Sequence, residues 1–575
     1  MFNAKNSLET ITQPIRSDLA SFDRDNSTLR RLNSRNLEDL KSLPLSPHLP
    51  SRTSVTEHTL KNAAELLVQC LVKEGVRHVF GQFGEDASLI GQALHQSKIQ
   101  FIPTRHSRGA VSMAHVYSRL TGRTGVCFAR NIQAILDLLP GAINANLHNA
   151  PLIVITEQAI ADDLAIKPRE ELDLVDLFRS GLKWSQQIDY PARTADIVAQ
   201  AFYQAQTETL EGQPGATYVN LPTTTALQST SDGPIHRNGN GIPCPSSESL
   251  ERAAALIRQA SVPMLLFGKG ATLPQMRDTL IDFATQLAIP VAHTLVAKGM
   301  MPDSHPLSVG SVDSLWGCDC TRFSQVDLII AIGCRAIDGL PQSWSTDDTI
   351  PVLHISDTAA LNNHYHPQLE LVGELPTLLP SLAKQLKRLS RKTSPLLKLP
   401  SSAKRLAEQD FKELPIPFQS SALIRALRTV LKPDDILLSD TGLHREWIIR
   451  DYPCELPNTC LLFHESSSAG LPLSGAIAAK LVHPENCIIT VTSVDGFLKH
   501  YPELESARWL QTPFVTLICN PGGWYPDFVE IARSMGFKGY RVTSADGLIP
   551  TLKTAISQSV PAVIDCPVDY REHID

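Results

Sequence analysis

Apolar runs with the length and composition of buried β-strands alternate with helical patterns along most of the chain. The runs are rich in Val, Ile and Leu, and examples are "PLIVIT" (151–156), "DLIIAIG" (327–333) and "FVTLIC" (514–519). Segments such as "NAAELLVQCLVKEG" (62–75) separate them and repeat apolar residues at helical spacing. Strands that are apolar throughout and connected by helices are typical of parallel sheets with both faces covered. The pattern therefore predicts an α/β fold built from doubly wound parallel sheets.

Two polar stretches that are rich in Gly, Pro and Ser interrupt this pattern, at residues 227–249 and 388–414. As linkers, they separate three predicted domains of ordinary size, at residues 57–226, 250–387 and 415–575. The first 56 residues mix acidic and basic side chains with Ser, Asn and Pro, a composition that buries little apolar surface. We therefore predict that residues 1–56 form a flexible or loosely packed arm.

Charge and composition exclude several classes of partner. The net charge is -7 and the Lys and Arg residues do not cluster, which argues against nucleic-acid binding. No apolar run approaches the roughly 18 residues of a membrane span, and the first 20 residues lack the apolar core of a secretory signal. We expect a cytoplasmic protein whose partners are small molecules or other proteins.

Three motifs, in their order and spacing, resemble those of one enzyme family. They are "TRH" (104–106) before a helix, "LVAKGMMPDSHPL" (295–307) and "DGFLKHYPELESA" (495–507). Over residues 57–575 the chain resembles the thiamine-diphosphate-dependent 2-oxo acid enzymes, and among them the catabolic, FAD-independent acetolactate synthases. The resemblance implies three α/β domains, namely a pyrimidine-binding-like, a central and a diphosphate-binding-like domain. It also implies a homodimer or a homotetramer, because the family builds its cofactor site from two chains.

The resemblance identifies three positions at which residues that bind the cofactor are replaced. Ser107 stands where the family carries the carboxylate that hydrogen-bonds the aminopyrimidine of the cofactor. Val494 and Pro521 stand at the positions of the Asp and of the Asn or Asp that bind the metal. A hydroxyl cannot hold the negative charge of a carboxylate, and neither Val nor Pro offers a side-chain oxygen to Mg²⁺.

Further departures lie around the same pocket. The glycine turn of the first domain is replaced by residues 132–134, and the bulky apolar residue that bends the cofactor is replaced by Ser466 or Ser467. About twenty residues that cover the cofactor in the family are missing after Pro521. Together these changes predict that neither thiamine diphosphate nor a metal is bound. In an alternative register, shifted by one residue, Asp495 is the metal ligand and both thiamine diphosphate and Mg²⁺ are bound.

Polar residues at the same positions suggest a rebuilt pocket. The candidate catalytic residues are Ser107, His106 and Glu465, because a Ser, a His and a carboxylate can form a nucleophile and its base. The candidate ligand-binding residues, for a small carboxylic acid, are Arg108, Arg130, Asn131 and His464.

Three functions follow from these observations. The first is an acetolactate-synthase-like protein that has lost thiamine chemistry, with Trp524 and Tyr525 filling the diphosphate groove. Such a protein would bind a small acid, catalyse a cofactor-free reaction or partner another protein. The second is an active carboligase or lyase that uses thiamine diphosphate on pyruvate or a related 2-oxo acid. The third is a structural or assembly protein that docks through residues 1–56.

Overall fold

A computed structural model gives the fold of one compact unit within Leu60–Asp575. It describes residues 61–82, 88–158, 172–207, 213–235, 245–312, 323–338, 350–360, 365–386, 393–398, 401, 403–404, 406, 416–463 and 469–573. The predicted arm at residues 1–56 lies outside these residues, and the predicted domain boundaries stay a prediction. Three six-stranded sheets, all parallel, carry helices between their strands, which confirms the predicted α/β fold class.

The first sheet has the strand order β3-β2-β4-β5-β7-β6. A short antiparallel pair, β1 (Lys61–Asn62) with β8 (Ser229–Thr230), flanks it. Its own strands are β2 (His78–Gln82), β3 (Gln100–Pro103), β4 (Gly125–Ala129), β5 (Leu152–Thr156), β6 (Trp184–Gln187) and β7 (Ala216–Asn220). Its helices are α1 (Ala63–Lys73), α2 (Leu89–His95), α3 (Ser107–Thr121), α4 (Ile132–Leu147), α5 (Leu174–Arg179), α6 (Thr194–Gln206) and α7 (Thr223–Ala226).

The second sheet has the order β11-β10-β9-β12-β13-β14. Its strands are β9 (Pro263–Phe267), β10 (Val291–His293), β11 (Ser308–Ser311), β12 (Leu328–Ile332), β13 (Val352–Ser356) and β14 (Leu369–Val372). Its α-helices are α8 (Ser247–Gln259), α9 (Arg277–Leu287) and α10 (Leu375–Gln385).

The third sheet has the order β16-β15-β17-β18-β20-β19. Its strands are β15 (Ile436–Ser439), β16 (Cys460–Leu462), β17 (Ile488–Ser493), β18 (Val515–Asn520), β19 (Lys538–Arg541) and β20 (Ala562–Pro567). Its helices are α11 (Ser420–Val430), α12 (Leu443–Asp451), α13 (Leu471–Val482), α14 (Val494–His500), α15 (Glu503–Trp509), α16 (Phe528–Ser534) and α17 (Leu548–Ile556). No helix among the described residues is long and apolar enough to cross a membrane.

Local sequence signals fix the ends of the first helix. The Asn62 side chain accepts the backbone N–H of Glu65, and the Glu65 carboxylate accepts the backbone N–H of Asn62, which is a capping box. The helix is followed by Gly75, whose φ of 78° favours glycine. The predicted helix over "NAAELLVQCLVKEG" therefore forms because both of its ends are specified locally.

One apolar core joins the first and third sheets. It runs from the strands of the first sheet through α3 and α13 to the strands of the third, and Val116, Leu438 and Ile477 are among its buried members. The two helices approach closely at Gly475, where an added Cβ would lie 2.5 Å from Val116 Cγ2. Glycine at this position is therefore a condition for the close packing of α3 on α13.

We expect Gly475→Ala to lower the free energy of unfolding by about 1–3 kcal/mol, because the new methyl group must displace Val116 or separate the two helices. Urea unfolding measures this change. Gly233→Ala is the control, because no atom lies within 4 Å of the position of its Cβ. The cost of Gly475→Ala should shrink when Val116→Ala is also present, and an unchanged cost would contradict this account of the helix contact.

Candidate functional site

The predicted site residues of the first sheet lie near its topological switch point. The connection after β2 leads to β3 on one side, and the connection after β4 leads to β5 on the other. In open α/β sheets, ligands bind in the crevice that forms at the carboxyl ends of two such strands. Arg130 and Asn131 directly follow β4, and Ser107 begins the helix after β3. The third sheet has the same arrangement between β15 and β17.

A buried carboxylate that the sequence analysis did not single out lies at the first switch point. Glu157, directly after β5, is fully buried. Its carboxylate accepts the Ser88 hydroxyl at 2.5 Å and the backbone N–H groups of Leu89 and Ile90, both at 3.3 Å. Arg130 Nε lies 3.5 Å from Glu157 Oε1 in a mostly buried ion pair. The sequence signal was a Glu directly after an apolar strand, a position that parallel sheets often use for function.

Arg130 keeps unused hydrogen-bonding capacity in this arrangement. Its Nε and Nη1 atoms are buried and have no hydrogen-bond partner in the described structure. Asn131, next to it, uses its side-chain oxygen to accept the backbone N–H of Ala134 and so caps α4. Arg130 is therefore the residue at this edge that can offer N–H groups to an anion, while the Asn131 oxygen is occupied.

Ser107 and His106 begin α3 but do not bond to each other. The Ser107 hydroxyl is buried, and its hydrogen bond goes to Gln82 Oε1 at 3.5 Å. The exposed His106 has no side-chain cap contact, and its backbone N–H donates to Glu503 at 2.8 Å. A nucleophile and base pair between these two side chains is not formed, so the catalytic role of Ser107, His106 and Glu465 stays a prediction.

Glu503, from the third sheet's α15, supplies the cap that α3 lacks. Its carboxylate accepts the backbone N–H groups of Arg105, at 3.2 Å, and His106. An added Cβ at Gly109 would lie 2.3 Å from Glu503 Oε1, so glycine makes room for the carboxylate. Burial raises the pKa of Glu503. The start of α3, where Ser107 lies, is thus positioned by the third sheet.

At the switch point of the third sheet, Asp440 follows β15 and ties three segments together. Its carboxylate accepts the backbone N–H groups of Thr441 and Gly470 and the hydroxyl of Thr492, each at 2.8 Å. Burial raises the pKa of Asp440 to about 6, although these three hydrogen bonds act in the opposite direction. Because all three donors converge on it, Asp440 organises this edge.

His444, in the first turn of α12, lies close to the same edge. It is fully buried; Nδ1 lies 3.2 Å from the Tyr570 hydroxyl, and Nε2 has no hydrogen-bond partner in the part of the chain that the structure describes. Gly442, with a φ of 132°, precedes the helix, and an added Cβ there would lie 2.9 Å from His444 Cε1. A side chain at position 442 would therefore collide with the His444 imidazole.

The two positions at which the family carries its metal ligands hold the apolar residues Val494 and Pro521. Val494 begins α14 and is buried in the shared core, and Pro521 is exposed in the loop after β18. Asp495, in the first turn of α14, has an exposed side chain. Among the described residues, no group of three or more His, Cys, Asp or Glu side chains could hold a metal ion.

Trp524 and Tyr525 do not lie where the sequence analysis expected them. Trp524 is fully exposed and Tyr525 is 43% exposed, so the prediction that they fill the diphosphate groove is wrong. Gly522 and Gly523, at φ values of 83° and 138°, form the turn that carries them outward. Arg108 lies 3.8 Å from Asp137 in an exposed ion pair. The predicted His464, Glu465, Ser466 and Ser467 lie outside the described residues.

Comparison with known proteins identifies the family of this chain. Residues 61–178 match the N-terminal TPP (thiamine pyrophosphate) binding domain of thiamine pyrophosphate enzymes, residues 250–382 match their central domain and residues 521–566 match their C-terminal TPP binding domain. The chain belongs to the thiamine pyrophosphate enzyme family. This family assignment confirms the resemblance that the motifs indicated.

Relatives of this thiamine pyrophosphate enzyme cover almost the whole chain. "Acetolactate synthase" of Bacillus subtilis (strain 168) is 26% identical over 562 residues, which span 91% of this chain and 96% of the relative. "Acetolactate synthase, catabolic" of Raoultella terrigena is 27% identical, spanning 90% and 97%. "Probable acetolactate synthase large subunit" of Methanocaldococcus jannaschii is 27% identical, spanning 88% and 92%.

The prediction that no cofactor and no metal are bound is wrong. Both matched TPP binding domains and the acetolactate synthase relatives point to thiamine diphosphate with a metal. The prediction rested on side chains at a few positions. A diphosphate is held largely by backbone N–H groups at helix starts, which the side-chain letters do not reveal. Mg²⁺ in such sites needs only one or two protein carboxylates in addition to phosphate and water.

Asp440 should make stability depend on pH. The pKa of Asp440 is about 6 in the fold, against the ordinary value of 3.8 that applies in the unfolded chain. Its contribution to stability is therefore complete below pH 3.8 and is lost as the pH rises through 6. The difference in free energy of unfolding between Asp440→Asn and the native protein should therefore shift in favour of the variant by about 2–3 kcal/mol from pH 4 to pH 7. Urea unfolding at several pH values measures this, and a constant difference would contradict the raised pKa.

Glu157 and Arg130 should depend on each other energetically. Glu157→Gln leaves a mostly buried guanidinium without its counter-charge, so we expect a loss of about 2–4 kcal/mol in the free energy of unfolding. In an Arg130→Met background, the same change should cost at least about 1 kcal/mol less. A double-mutant cycle by urea unfolding measures the coupling, and equal costs in the two backgrounds would refute the ion pair.

Proposed function

We propose that this protein binds thiamine diphosphate with Mg²⁺ and forms or cleaves a carbon–carbon bond next to the carbonyl of a small 2-oxo acid, such as pyruvate. The observation that carries the proposal is that both TPP binding domains are matched, at residues 61–178 and 521–566. Buried polar groups at the switch points of the first and third sheets support it. When bound, thiamine diphosphate supplies a stabilised carbanion for chemistry at a carbonyl carbon. The names of the relatives, acetolactate synthases, support the substrate class.

The residues at the edge of the third sheet fit a diphosphate. His444 Nε2 is buried without a partner among the described residues, and a phosphate oxygen would satisfy it. Gly442 lets the His444 imidazole lie against the backbone at the start of this nine-residue helix, whose first N–H groups favour an anion. Asp440 fixes both this turn and the start of α13 through its hydrogen bonds. We infer that His444 and the start of α12 hold the diphosphate.

For the metal, we propose Asp495 as the protein carboxylate. It lies in the first turn of α14, next to Val494, and its side chain is exposed. A single carboxylate is sufficient where phosphate oxygens and water complete an octahedral Mg²⁺ site. This assignment is the register shifted by one residue, and it does not require an oxygen from Pro521.

The substrate carboxylate is assigned to Arg130. Glu157 faces Nε of the guanidinium and holds it in place, while the buried Nη1 group remains without a hydrogen-bond partner in the described structure. Arg binds carboxylates through paired N–H groups, so a 2-oxo acid presents the matching anion. Ser107, at the neighbouring start of α3, offers a hydroxyl for hydrogen bonding but no charge. We also propose a cytoplasmic homo-oligomer, in which the first sheet of one chain faces the third sheet of another.

Titration calorimetry of the full chain with thiamine diphosphate and Mg²⁺ tests the proposal. We expect micromolar binding by the native protein, and a loss of at least about tenfold in Mg²⁺-dependent affinity in Asp495→Asn. His444→Ala should weaken binding of the diphosphate to a similar extent, because a charge-assisted hydrogen bond is lost. Asp546→Asn is the control for Asp495, because Asp546 is another exposed Asp of the same sheet's connections.

The product assay is carboligation of pyruvate by the loaded protein. Absence of thiamine diphosphate binding by the native chain would overturn the proposed function. Binding that is unchanged in Asp495→Asn would refute the metal assignment alone. A gain in Mg²⁺ affinity in Val494→Asp, without loss in Asp495→Asn, would place the metal at position 494.

A further inference from the structure

Arg119 is a deeply placed cation that has no acidic partner among the residues that the structure describes. It lies near the end of α3, and its Nη1 donates to the backbone oxygen of Leu462 at 2.8 Å. Its guanidinium carbon lies 5.0 Å from the centre of the Phe463 ring. No carboxylate of the described residues lies within ion-pair distance of it. A cation withdrawn from water without a counter-charge is costly, so the arrangement calls for an anion.

A second cation, Lys269, and two buried imidazoles that can donate hydrogen bonds surround Arg119. His115, one turn earlier on α3, is fully buried, and neither of its ring nitrogens has a partner in the described structure. Its ring centre lies 5.1 Å from that of the buried His148. Arg119 and Lys269, together with burial, lower the pKa of His115, so both cations are close enough to act on it. The cluster of His115, Arg119, His148 and Lys269 thus has the character of an anion site.

A small cavity adjoins this cluster where the three sheets meet. Its lining comes from Arg119 and His148 beside the first sheet, Val296 and Ile337 beside the second, and Leu462 at the end of β16. Burial lowers the pKa of Arg119 to about 10, yet part of its surface stays accessible. The accessible part of the Arg119 side chain lies on the cavity wall. We place Arg119 inside the protein.

The small size of the cavity limits which anions it can hold. Its free space accommodates about one water-sized group. A carboxylate or phosphate has at least three heavy atoms and does not fit, whereas a halide ion is close to the size of a water molecule. We propose that this cavity binds a monatomic anion, chloride in the cell, which neutralises Arg119 and links the three sheets. The inference is independent of thiamine diphosphate binding.

Crystals of the full chain soaked in sodium bromide test the site directly. We expect an anomalous-scattering peak in the cavity, in contact with the Arg119 guanidinium. In solution, replacing sodium gluconate by 0.2 M sodium chloride at constant ionic strength should raise the thermal midpoint by about 1–3 °C, because a ligand of the folded state stabilises it. Constant ionic strength removes general screening from the comparison.

Arg119→Met should abolish the chloride effect on the midpoint. Arg123→Met is the matched control and should keep it, because Arg123 is exposed just beyond the end of the same helix. A water molecule or a carboxylate of a second chain in the cavity would overturn the proposal. So would bromide density without any chloride effect, which would mark an adventitious ion only, or an equal chloride effect in Arg119→Met and the native protein. The bromide experiment needs no variant, so it decides the question even if Arg119→Met does not fold.

Discussion

The packing of α3 on α13 is the contact on which the arrangement of both sheet edges depends. It merges the cores of the first and third sheets into one, with Gly475 allowing the two helix backbones to approach at Val116. Cores packed at this density do not deform gradually, so the relative position of the two sheets is fixed. The start of α3, where Ser107 lies, and the edge that Asp440 organises are therefore held in one rigid frame.

Polar contacts complete that frame near both ends of α3. At the start of α3, the Glu503 carboxylate from the third sheet replaces the missing N-cap. Near the end of the helix, Arg119 donates to the backbone oxygen of Leu462, the last residue of β16, and faces the cavity between the three sheets. Unsatisfied polar groups are costly in such interiors, so each contact must be completed by a partner from another segment or by a bound ion. The first and third sheets thus share charges as well as apolar surface.

The two switch points use opposite electrostatic designs. At the first, Glu157 holds Arg130 and leaves its remaining N–H groups for an anion. At the third, Asp440 is held by three donors and supports a turn that ends at His444. Both designs place a buried carboxylate behind the group that we propose as a ligand contact, so these proposed contacts are already positioned by the fold. This is the arrangement expected of a preorganised site.

Sequence patterns predicted most of the inner strands and missed several edge strands for a physical reason. The central strands β5, β12 and β18 are buried on both faces, so their apolar runs are continuous. The edge strands β6, β14 and β19 are partly exposed and carry mixed residues, such as "KGYR" at Lys538–Arg541. An edge strand is partly exposed to solvent and forms by hydrogen bonding to the neighbouring strand, so it needs no continuous apolar run. The sequence of such a segment therefore does not predict a strand.

By itself, the sequence determined the fold class, the family and the identity of residues at motif positions, because these depend on local periodicity and on the order of short motifs. Only the tertiary structure decided which charges meet. The pairing of Arg130 with Glu157, the cap that Glu503 provides 398 residues from Arg105, and the hydrogen bond from Arg119 to Leu462 are all long-range contacts. The prediction of a lost cofactor was wrong for the same reason. It considered side chains one position at a time, whereas a diphosphate site is formed by backbone groups that only the folded chain brings together.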